Sequence, residues 1–272
     1  MRFIAPARQG LDARLFEQPI FDALGADRDL LLSPDWPALG LLNDRIAGLV
    51  HAVTGQAISL VAPEQSGDDN YEARIFRNGR IVTRPDNWHD LFNALVWMRY
   101  PRIKSALNHA QVRDTDAVGN LQRTRRQAAL TQFDEAGAVV VLRDAGMLDA
   151  WDRHDWEGLF LHRREAWLDG SVGLHVFGHA LFEHALNRAM LLVGKCVVLV
   201  ASDGSSPRRI DQLLADAIEA REGVLDPQDL RPLPLAGIPG WHHDLQDADF
   251  YRRQPCFRPL RPGRSYPPPS SG

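Results

Sequence analysis

The chain has 272 residues, of which 44% are hydrophobic and 24% are charged. This is the composition of an ordinary globular protein with enough apolar side chains for one core, and it excludes a largely disordered chain. The formal net charge of −4 argues against a general nucleic-acid-binding protein, because contacts with phosphates normally require an excess of Lys and Arg.

Neither an export signal nor a membrane span is expected. Arg8, Asp12 and Arg14 interrupt the N-terminal segment where a signal peptide would need an apolar core. The longest apolar runs, residues 138–142 and 196–201, are far shorter than the ~20 residues of a membrane helix. We therefore expect a cytoplasmic protein with no membrane partner.

The first elements in chain order predict helices and a sheet. Residues 36–53 carry apolar side chains at helical spacing, and residues 57–63 are typical of a short strand. Residues 71–84 predict a β-hairpin, because two strand-like runs flank Asn78 and Gly79, which can adopt the positive dihedral angles of a tight turn.

A helix over residues 88–98 is the element around which we expect the chain to be organised. One face is apolar, and the opposite face carries the short polar groups His89, Asp90 and Asn93 but no Lys, Arg or Glu. Such a face suits an enclosed polar site, and His89 and Asn93, one turn apart, can contact the same ligand. The alternative is a buried hydrogen-bond network with no ligand.

Pro101 interrupts this helix, and a second, short helix is expected to carry Lys104 and Asn108. Both Lys104 and Asn108 are candidates for contact with a substrate. The segment that follows, residues 112–120, predicts a polar loop.

The next segment offers two further candidates. Arg125 lies in a basic run and could hold an anionic group, although a solvated basic face is the commoner meaning. Residues 128–142 predict a second hairpin with its turn at Asp134 and Glu135. These carboxylates could form an acid–base or metal pair, but the turn is the favoured explanation, because turns favour Asp and Gly for conformational reasons alone.

A helix is predicted over residues 175–195, with His179 and Glu183 one turn apart on one face. Imidazole and carboxylate at this spacing can share a divalent metal ion, or the Glu can orient the His. The spacing departs from the HExxH and HxxEH zinc motifs, so a simple hydrogen bond on the helix face remains open. Gly178 would permit another backbone to approach closely.

The C-terminal part is rich in Pro and Arg and has no acidic residue after Asp249. Its prolines exclude regular helix over residues 233–241, whose apolar side chains nevertheless favour burial. We expect this segment to wrap over the domain. The predicted organisation is a lead-in at residues 1–30, one globular domain at residues 31–261 and a disordered Pro-rich tail at residues 262–272.

Several segments follow one another along most of the chain: YEARI, NWHDLFNALVWMRYPRIKSALN, LTQFDEAG, FGHALFEH, and LAGIPGW with FYRRQPCFRP. In this order they resemble an uncharacterised bacterial family, domain of unknown function 3025. The resemblance implies one domain that extends through the wrapping C-terminal segment. It implies no activity, cofactor or catalytic residue.

The predicted fold is a single α+β domain, with helices on a mainly antiparallel sheet built around the two hairpins. The first functional hypothesis is a hydrolase or lyase that acts on a small molecule through a His general base or a divalent metal ion, with His89, His179 and Glu183 as candidate ligands. The candidate catalytic residues are His89, Asp90, His179 and Glu183, and the candidate substrate-binding residues are Asn93, Lys104, Asn108 and Arg125. The second hypothesis is a non-catalytic binding or interaction protein in which the same residues form a structural network.

Overall fold

The computed structural model describes residues 3–65, 70–119, 122–201, 206–222, 224–242 and 245–271. The α-helices are α1 (Asp29–Leu32), α2 (Leu39–Ile46), α3 (Tyr71–Asn78), α4 (Trp88–Arg99), α5 (Pro101–Val118), α6 (Arg125–Ala136), α7 (Met147–Asp152), α8 (Arg164–Leu168), α9 (His179–Ala185), α10 (Pro207–Glu219) and α11 (Ala248–Arg253). The strands are β1 (Ser59–Val61), β2 (Arg80–Val82), β3 (Gly137–Leu142), β4 (Val172–Val176), β5 (Val193–Val200), β6 (Arg231–Pro234) and β7 (Ser270–Ser271). Helices of the 3-10 type lie at Ala13–Glu17, Pro19–Arg28, Pro63–Gln65 and Leu235–Gly237, and a π-helix lies at Glu157–His162.

The main sheet is mixed, which corrects the prediction of a mainly antiparallel sheet. Its strands follow the order β4-β3-β5-β6, and β7 also pairs with β5. The β3–β4 and β5–β6 pairings are antiparallel, whereas β3–β5 and β5–β7 are parallel. All six residues of β3 are buried, as expected for a central strand covered on both faces. The class α+β is therefore confirmed only in its coarse form.

The first predicted hairpin is wrong. Asn70 caps α3 by accepting a hydrogen bond from the backbone N–H of Ala73, and the helix ends at Gly79, whose φ is 65°. The strand that follows, β2, pairs with β1 in parallel, in a separate two-stranded sheet. Gly79 does supply the positive φ that the sequence indicated, but it ends a helix instead of forming a hairpin turn.

The second predicted hairpin is also wrong. Thr124 and Gln127 form a reciprocal capping box, so residues 128–136 continue a helix, α6, and strand β3 begins only at Gly137. Asp134 and Glu135 consequently lie in the last turn of a helix and not in an exposed turn.

The predicted central helix is confirmed as α4, and its polar face is enclosed at Asp90 and Asn93 but half-buried at His89. Asp90 and Asn93 are buried together with the apolar residues of the same helix. Helix α5 is longer than predicted and includes residues 112–118, which were expected to be loop. The helix predicted over residues 175–195 is instead the end of β4, the short α9 and the start of β5.

The C-terminal segment contacts the edge of the main sheet. Strand β6 pairs with β5, and Arg231 at its start donates a hydrogen bond to the carbonyl of Pro267. The ring of Tyr266 lies against His154, with the centroids 6.0 Å apart. Part of the tail that was expected to be disordered thus contacts the domain, and the domain boundaries drawn from the sequence stay a prediction. Within the described ranges, every helix is too short or too polar to cross a lipid bilayer.

Candidate active site

Helices α3, α4, α5, α6 and α9 surround a cavity of about 280 Å³. Many of its lining side chains are polar or charged, although the helices that carry them are otherwise apolar at this point. The polar lining residues are Tyr71, Glu72, Arg84, His89, Asp90, Asn93, Lys104, Asn108, Gln111, Thr131, Asp134, Glu135 and His179. Six of the eight residues singled out from the sequence line this cavity.

His89 occupies the first turn of α4, which begins because the Asn87 side chain accepts a hydrogen bond from the Asp90 N–H. Its Nδ1 lies 3.0 Å from Oε2 of Glu183 on α9. This hydrogen bond raises the pKa of His89, against the opposing effect of burial. Since a carboxylate can only accept, Nδ1 carries the proton, and Nε2 is directed at His179.

His179 begins α9 and is almost completely buried, with 4% of its surface exposed. Its Nε2 lies 3.0 Å from Nε2 of His89. Burial lowers the pKa of His179 to about 3, so the ring is neutral near neutral pH. The other nitrogen, Nδ1, makes no hydrogen bond with the described part of the chain, and Oδ2 of Asp134 lies 3.8 Å from it.

Gly178 explains how His179 reaches this position. A Cβ atom there would lie 2.4 Å from the backbone nitrogen of Gly137 and 2.5 Å from Cα of Ala136, which confirms the predicted close approach of another backbone. The N–H groups of Phe177 and Gly178 both donate to the carbonyl of Gly137. The start of α9 is therefore held against the end of α6, next to Glu135.

Glu135 completes a group of three metal-binding side chains. Its Oε2 lies 3.6 Å from Nε2 of His179, and one ligand atom from each of His89, Glu135 and His179 lies within 4.8 Å of the other two. Two nitrogen ligands of a tetrahedral zinc ion would be about 3.3 Å apart, given metal–nitrogen bonds of ~2.0–2.1 Å. The separations of 3.0 Å and 3.6 Å from Nε2 of His179 to His89 and to Glu135 are close to that value. Burial raises the pKa of the Glu135 carboxyl.

Lys104 and Asp134 form a charged pair on the cavity wall. Nζ of Lys104 lies 2.6 Å from Oδ1 of Asp134 and 2.9 Å from Oδ1 of Asn93, and Nδ2 of Asn93 donates to the Tyr71 hydroxyl. Burial alone would raise the pKa of Asp134, but the charge of Lys104 and its hydrogen bond bring it below the usual range. Asp134 is therefore a carboxylate at neutral pH.

A second chain of hydrogen bonds extends from Asn108. Its Nδ2 donates to the carbonyl and to Oε2 of Glu72, and its Oδ1 lies 3.1 Å from Nε2 of His51. The His51 ring accepts at Nδ1 from the N–H groups of Val53 and Thr54, so its Nε2 donates to Asn108. Burial raises the pKa of Glu72 to about 7 and lowers that of His51 to about 4.

The remaining residues singled out from the sequence are Asp90, Glu183 and Arg125. Each is paired with another side chain, and only Asp90 lines the cavity. Arg84 donates three hydrogen bonds of 2.8 Å to Asp90, so this carboxylate is held at the cavity wall. Glu183 contacts Nδ1 of His89, on the side away from His179. Arg125 is exposed and pairs with Asp226, and it does not line the cavity.

Sequence reasoning placed Glu183 in the candidate metal group and left out Glu135, because residues 134–137 were read as a turn. The signal that could have corrected this is the capping box at Thr124 and Gln127, which predicts a helix through this segment. Tyr71 and Glu72 were left out for the same kind of reason, because α3 was interpreted as a strand.

Comparisons with known proteins give one finding. The chain matches no curated protein and no solved structure. The model of one family matches residues 58–261, three quarters of the chain, and its segments include the helices that surround the cavity. The chain therefore belongs to the family described as protein of unknown function DUF3025.

Proposed function

We propose that the protein is a hydrolase that depends on a divalent metal ion, held by Nε2 of His89, Nε2 of His179 and the carboxylate of Glu135. The observation that carries this proposal is the convergence of these three groups, from three different helices, on the wall of one polar cavity. Two imidazoles and one carboxylate form the ligand set of many catalytic zinc sites, in which a fourth position stays open for water or substrate.

The protonation states support this assignment. A metal ligand must be a neutral imidazole with a free lone pair, and burial keeps His179 neutral. Glu183 holds the proton of His89 on Nδ1, which leaves Nε2 for a metal ion. A histidine ligand oriented by a carboxylate on its other nitrogen is the common arrangement at zinc sites.

The neighbouring charged groups suit hydrolysis. A bound divalent ion supplies an acidified water and polarises a carbonyl or phosphoryl oxygen. In hydrolysis the hydroxyl of water adds to the electrophilic atom, and the other proton of water passes to the leaving group. The carboxylate of Asp134 is ionised, so it can accept that proton from water and donate it to the leaving group. Lys104 uses two of its three N–H donors on Asn93 and Asp134, so the third can bind an anionic oxygen of the substrate. A cavity of about 280 Å³ limits the substrate to a small molecule.

The alternative function is that of a non-catalytic binding protein. It is supported by the direct contacts between the same groups, namely the 3.0 Å His89–His179 hydrogen bond and the Lys104–Asp134 pair. A network of this kind can have a purely structural role, in which it fixes the packing of the five helices.

The test is metal binding by chelator-treated full-length protein, titrated with zinc, manganese and magnesium chlorides in a calorimeter. We expect one equivalent of zinc to bind. His179→Asn should abolish binding, whereas the matched substitution of an exposed histidine, His162→Asn, should leave it unchanged. Glu183→Gln should weaken binding by about 10–100-fold, because it removes the group that orients His89 without removing a ligand.

A thermal melt provides an independent measurement. A ligand at 100 times its dissociation constant stabilises the folded state by about 2.7 kcal/mol. For a protein of this size that corresponds to a rise in Tm of about 5–10 °C. Equal melting temperatures with and without zinc, together with no calorimetric signal, would exclude the metal site and favour the structural network.

A further inference from the structure

A second cavity shares no lining residue with the candidate active site. Its volume is about 740 Å³, which is in the range of small-molecule binding sites. The start of β5 and the Pro- and Arg-rich residues 255–266 form much of its wall, and Trp156, Leu191 and Leu230 contribute apolar surface. The cavity thus lies where the compositionally unusual C-terminal segment meets the main sheet.

The charged side chains that line this cavity are all basic. They are Lys195 on β5 and Arg258, Arg261 and Arg264 on the C-terminal segment, and no acidic residue of the described chain lines the cavity. None of these four side chains forms a salt bridge with another described residue. Four cations without carboxylate partners around one hollow produce a local positive potential, although the chain as a whole carries a net charge of −4.

The nearby carboxylates compensate this charge only in part, although the charge of Arg264 helps to lower the pKa of Asp226. Asp226 is held by two hydrogen bonds from Arg125, and Asp152 is held in the same bidentate way by Arg231. Each acidic group therefore already neutralises another arginine. Lys195 responds to the resulting field, because burial and then the charges of the three cavity arginines lower its pKa.

The cavity wall is fixed by hydrogen bonds before any ligand binds. Nδ1 of His154 and Nε1 of Trp156 both donate to the carbonyl of Arg258, and Nε2 of His154 accepts from the hydroxyl of Tyr266. Arg264 lies over the ring of Tyr266, 4.6 Å from its centroid. The prolines of the segment restrict the backbone further, so the ordering cost on binding is small.

We propose that this basic cavity binds a small molecule that carries at least two anionic groups, either phosphates or carboxylates. Guanidinium groups bind both by paired, charge-assisted hydrogen bonds, and Lys195 adds a point charge on the rigid sheet. The inference does not depend on the metal site, because the two cavities have no residue in common.

The experiment is calorimetric titration of the full chain, in chelator and at a constant ionic strength of about 0.15 M, where screening of charges is physiological. The probes are pyrophosphate, ATP and citrate, with inorganic phosphate as the single-group reference. We expect pyrophosphate or citrate to bind at least 10-fold more tightly than inorganic phosphate. Tighter binding of pyrophosphate and ATP assigns the site to phosphates, and tighter binding of citrate assigns it to carboxylates.

Two single substitutions locate the binding. Lys195→Met keeps the apolar stem on the strand, and Arg258→Gln changes an exposed side chain whose backbone carbonyl makes the structural contacts. Each substitution should weaken binding of the tighter probe by at least 10-fold. If Lys195→Met fails to fold, Arg258→Gln still tests the site. Arg209→Gln, which removes an exposed arginine of α10, should change it by less than 2-fold. Binding should also be unchanged in His179→Asn, which separates this site from the metal site.

Three results would overturn the proposal. The first is no saturable binding of any probe at millimolar concentration. The second is binding that survives both Lys195→Met and Arg258→Gln. The third is tighter binding of a single-stranded oligonucleotide than of pyrophosphate through the same two residues, which would assign the surface to nucleic acid.

Discussion

Replacing Lys104 with methionine tests whether the charged pair on the cavity wall stabilises the candidate active site. The methionine side chain can occupy the path of the lysine stem, so the substitution removes the charge without creating a large void. Asp134 then loses the cation that lies 2.6 Å away, and Oδ1 of Asn93 loses its donor. An ionised carboxylate is left facing the cavity without a partner.

The expected loss of stability follows from the burial of the two partners. Breaking a fully buried ion pair costs about 3–5 kcal/mol. Lys104 retains only 5% of its side-chain exposure, but Asp134 retains 27% because it lines the cavity, where water can hydrate it. We therefore expect a value at the lower end, about 3 kcal/mol, measured as the change in free energy of unfolding in urea. The corresponding fall in Tm is about 6–12 °C.

A double-mutant cycle identifies the cause. Asp134→Asn alone should also destabilise the protein, because it leaves the buried ammonium group without its carboxylate. Lys104→Met combined with Asp134→Asn removes both charges and should recover most of the loss, which gives a coupling energy of about 2 kcal/mol or more. Additive effects of the two substitutions, with a coupling below about 0.5 kcal/mol, would refute the assignment of a stabilising pair.

Two further predictions concern the walls of the same cavity. The pKa of Glu72 is about 7 in the folded state, whereas its usual value is 4.5, so the folded state holds this proton more tightly. The protonated carboxyl therefore contributes stability that is fully present below pH 4.5 and is lost as the pH rises through 7. Glu72→Gln should flatten the dependence of unfolding free energy on pH between 5 and 8, and an unchanged profile in urea titrations would contradict the raised pKa. Gly178→Ala should destabilise the protein by about 1–3 kcal/mol, because its Cβ would overlap the backbone of Gly137. Gly40→Ala on helix α2, where a Cβ meets no atom within 4 Å, is the matched control and should leave the calorimetric Tm equal or higher.

The fold could be predicted from the sequence where side-chain periodicity was unambiguous. Helix α4 was predicted with its polar face, and the absence of long charged side chains on that face correctly indicated enclosure, because Asp90 and Asn93 are both buried. The mostly apolar residues 195–201 also favour a strand, and β5 extends from Val193 to Val200. These segments contain many residues of one type at one spacing, so no single misread residue changes the conclusion.

The two wrong hairpins have one physical cause. Gly79 needs a positive φ in a type I′ turn and equally at the end of a helix, so the sequence Asn78-Gly79 does not distinguish the two. What decided between them was the start of each segment. Asn70 caps α3 and lies in a stretch with the composition of a polar loop, whereas Thr124 caps α6 and lies in a basic run. The second of these errors left Glu135 out of the candidate metal ligands, because Glu135 lies at the end of α6.

The distance between His89 and His179 could not be predicted, because it depends on the tertiary approach of α9 to α6 and α4. The sequence gives only the pair of helical faces and the glycine at position 178. The close contact between the Gly178 and Gly137 backbones holds the start of α9 against the end of α6. His179 consequently lies beside both His89 and Glu135. Local spacing predicts which side chains share a helix face, and packing decides which faces meet.

The positions of the protons require a positive charge at this cluster, carried either by the His89 ring or by a bound metal ion. Glu183 places a proton on Nδ1 of His89, so the contact between the two Nε2 atoms needs a second proton. If His179 carries it, Nδ1 of His179 becomes a buried acceptor that faces the Asp134 carboxylate at 3.8 Å, which is repulsive. If His89 carries it, the ring is a cation whose pKa is raised by its hydrogen bond to Glu183 and by the charge of Glu135. A divalent ion held by the two Nε2 atoms would use both lone pairs, leave the proton of His179 on Nδ1, and place positive charge beside Glu135. Only a bound ion would supply this charge while both imidazoles stay neutral.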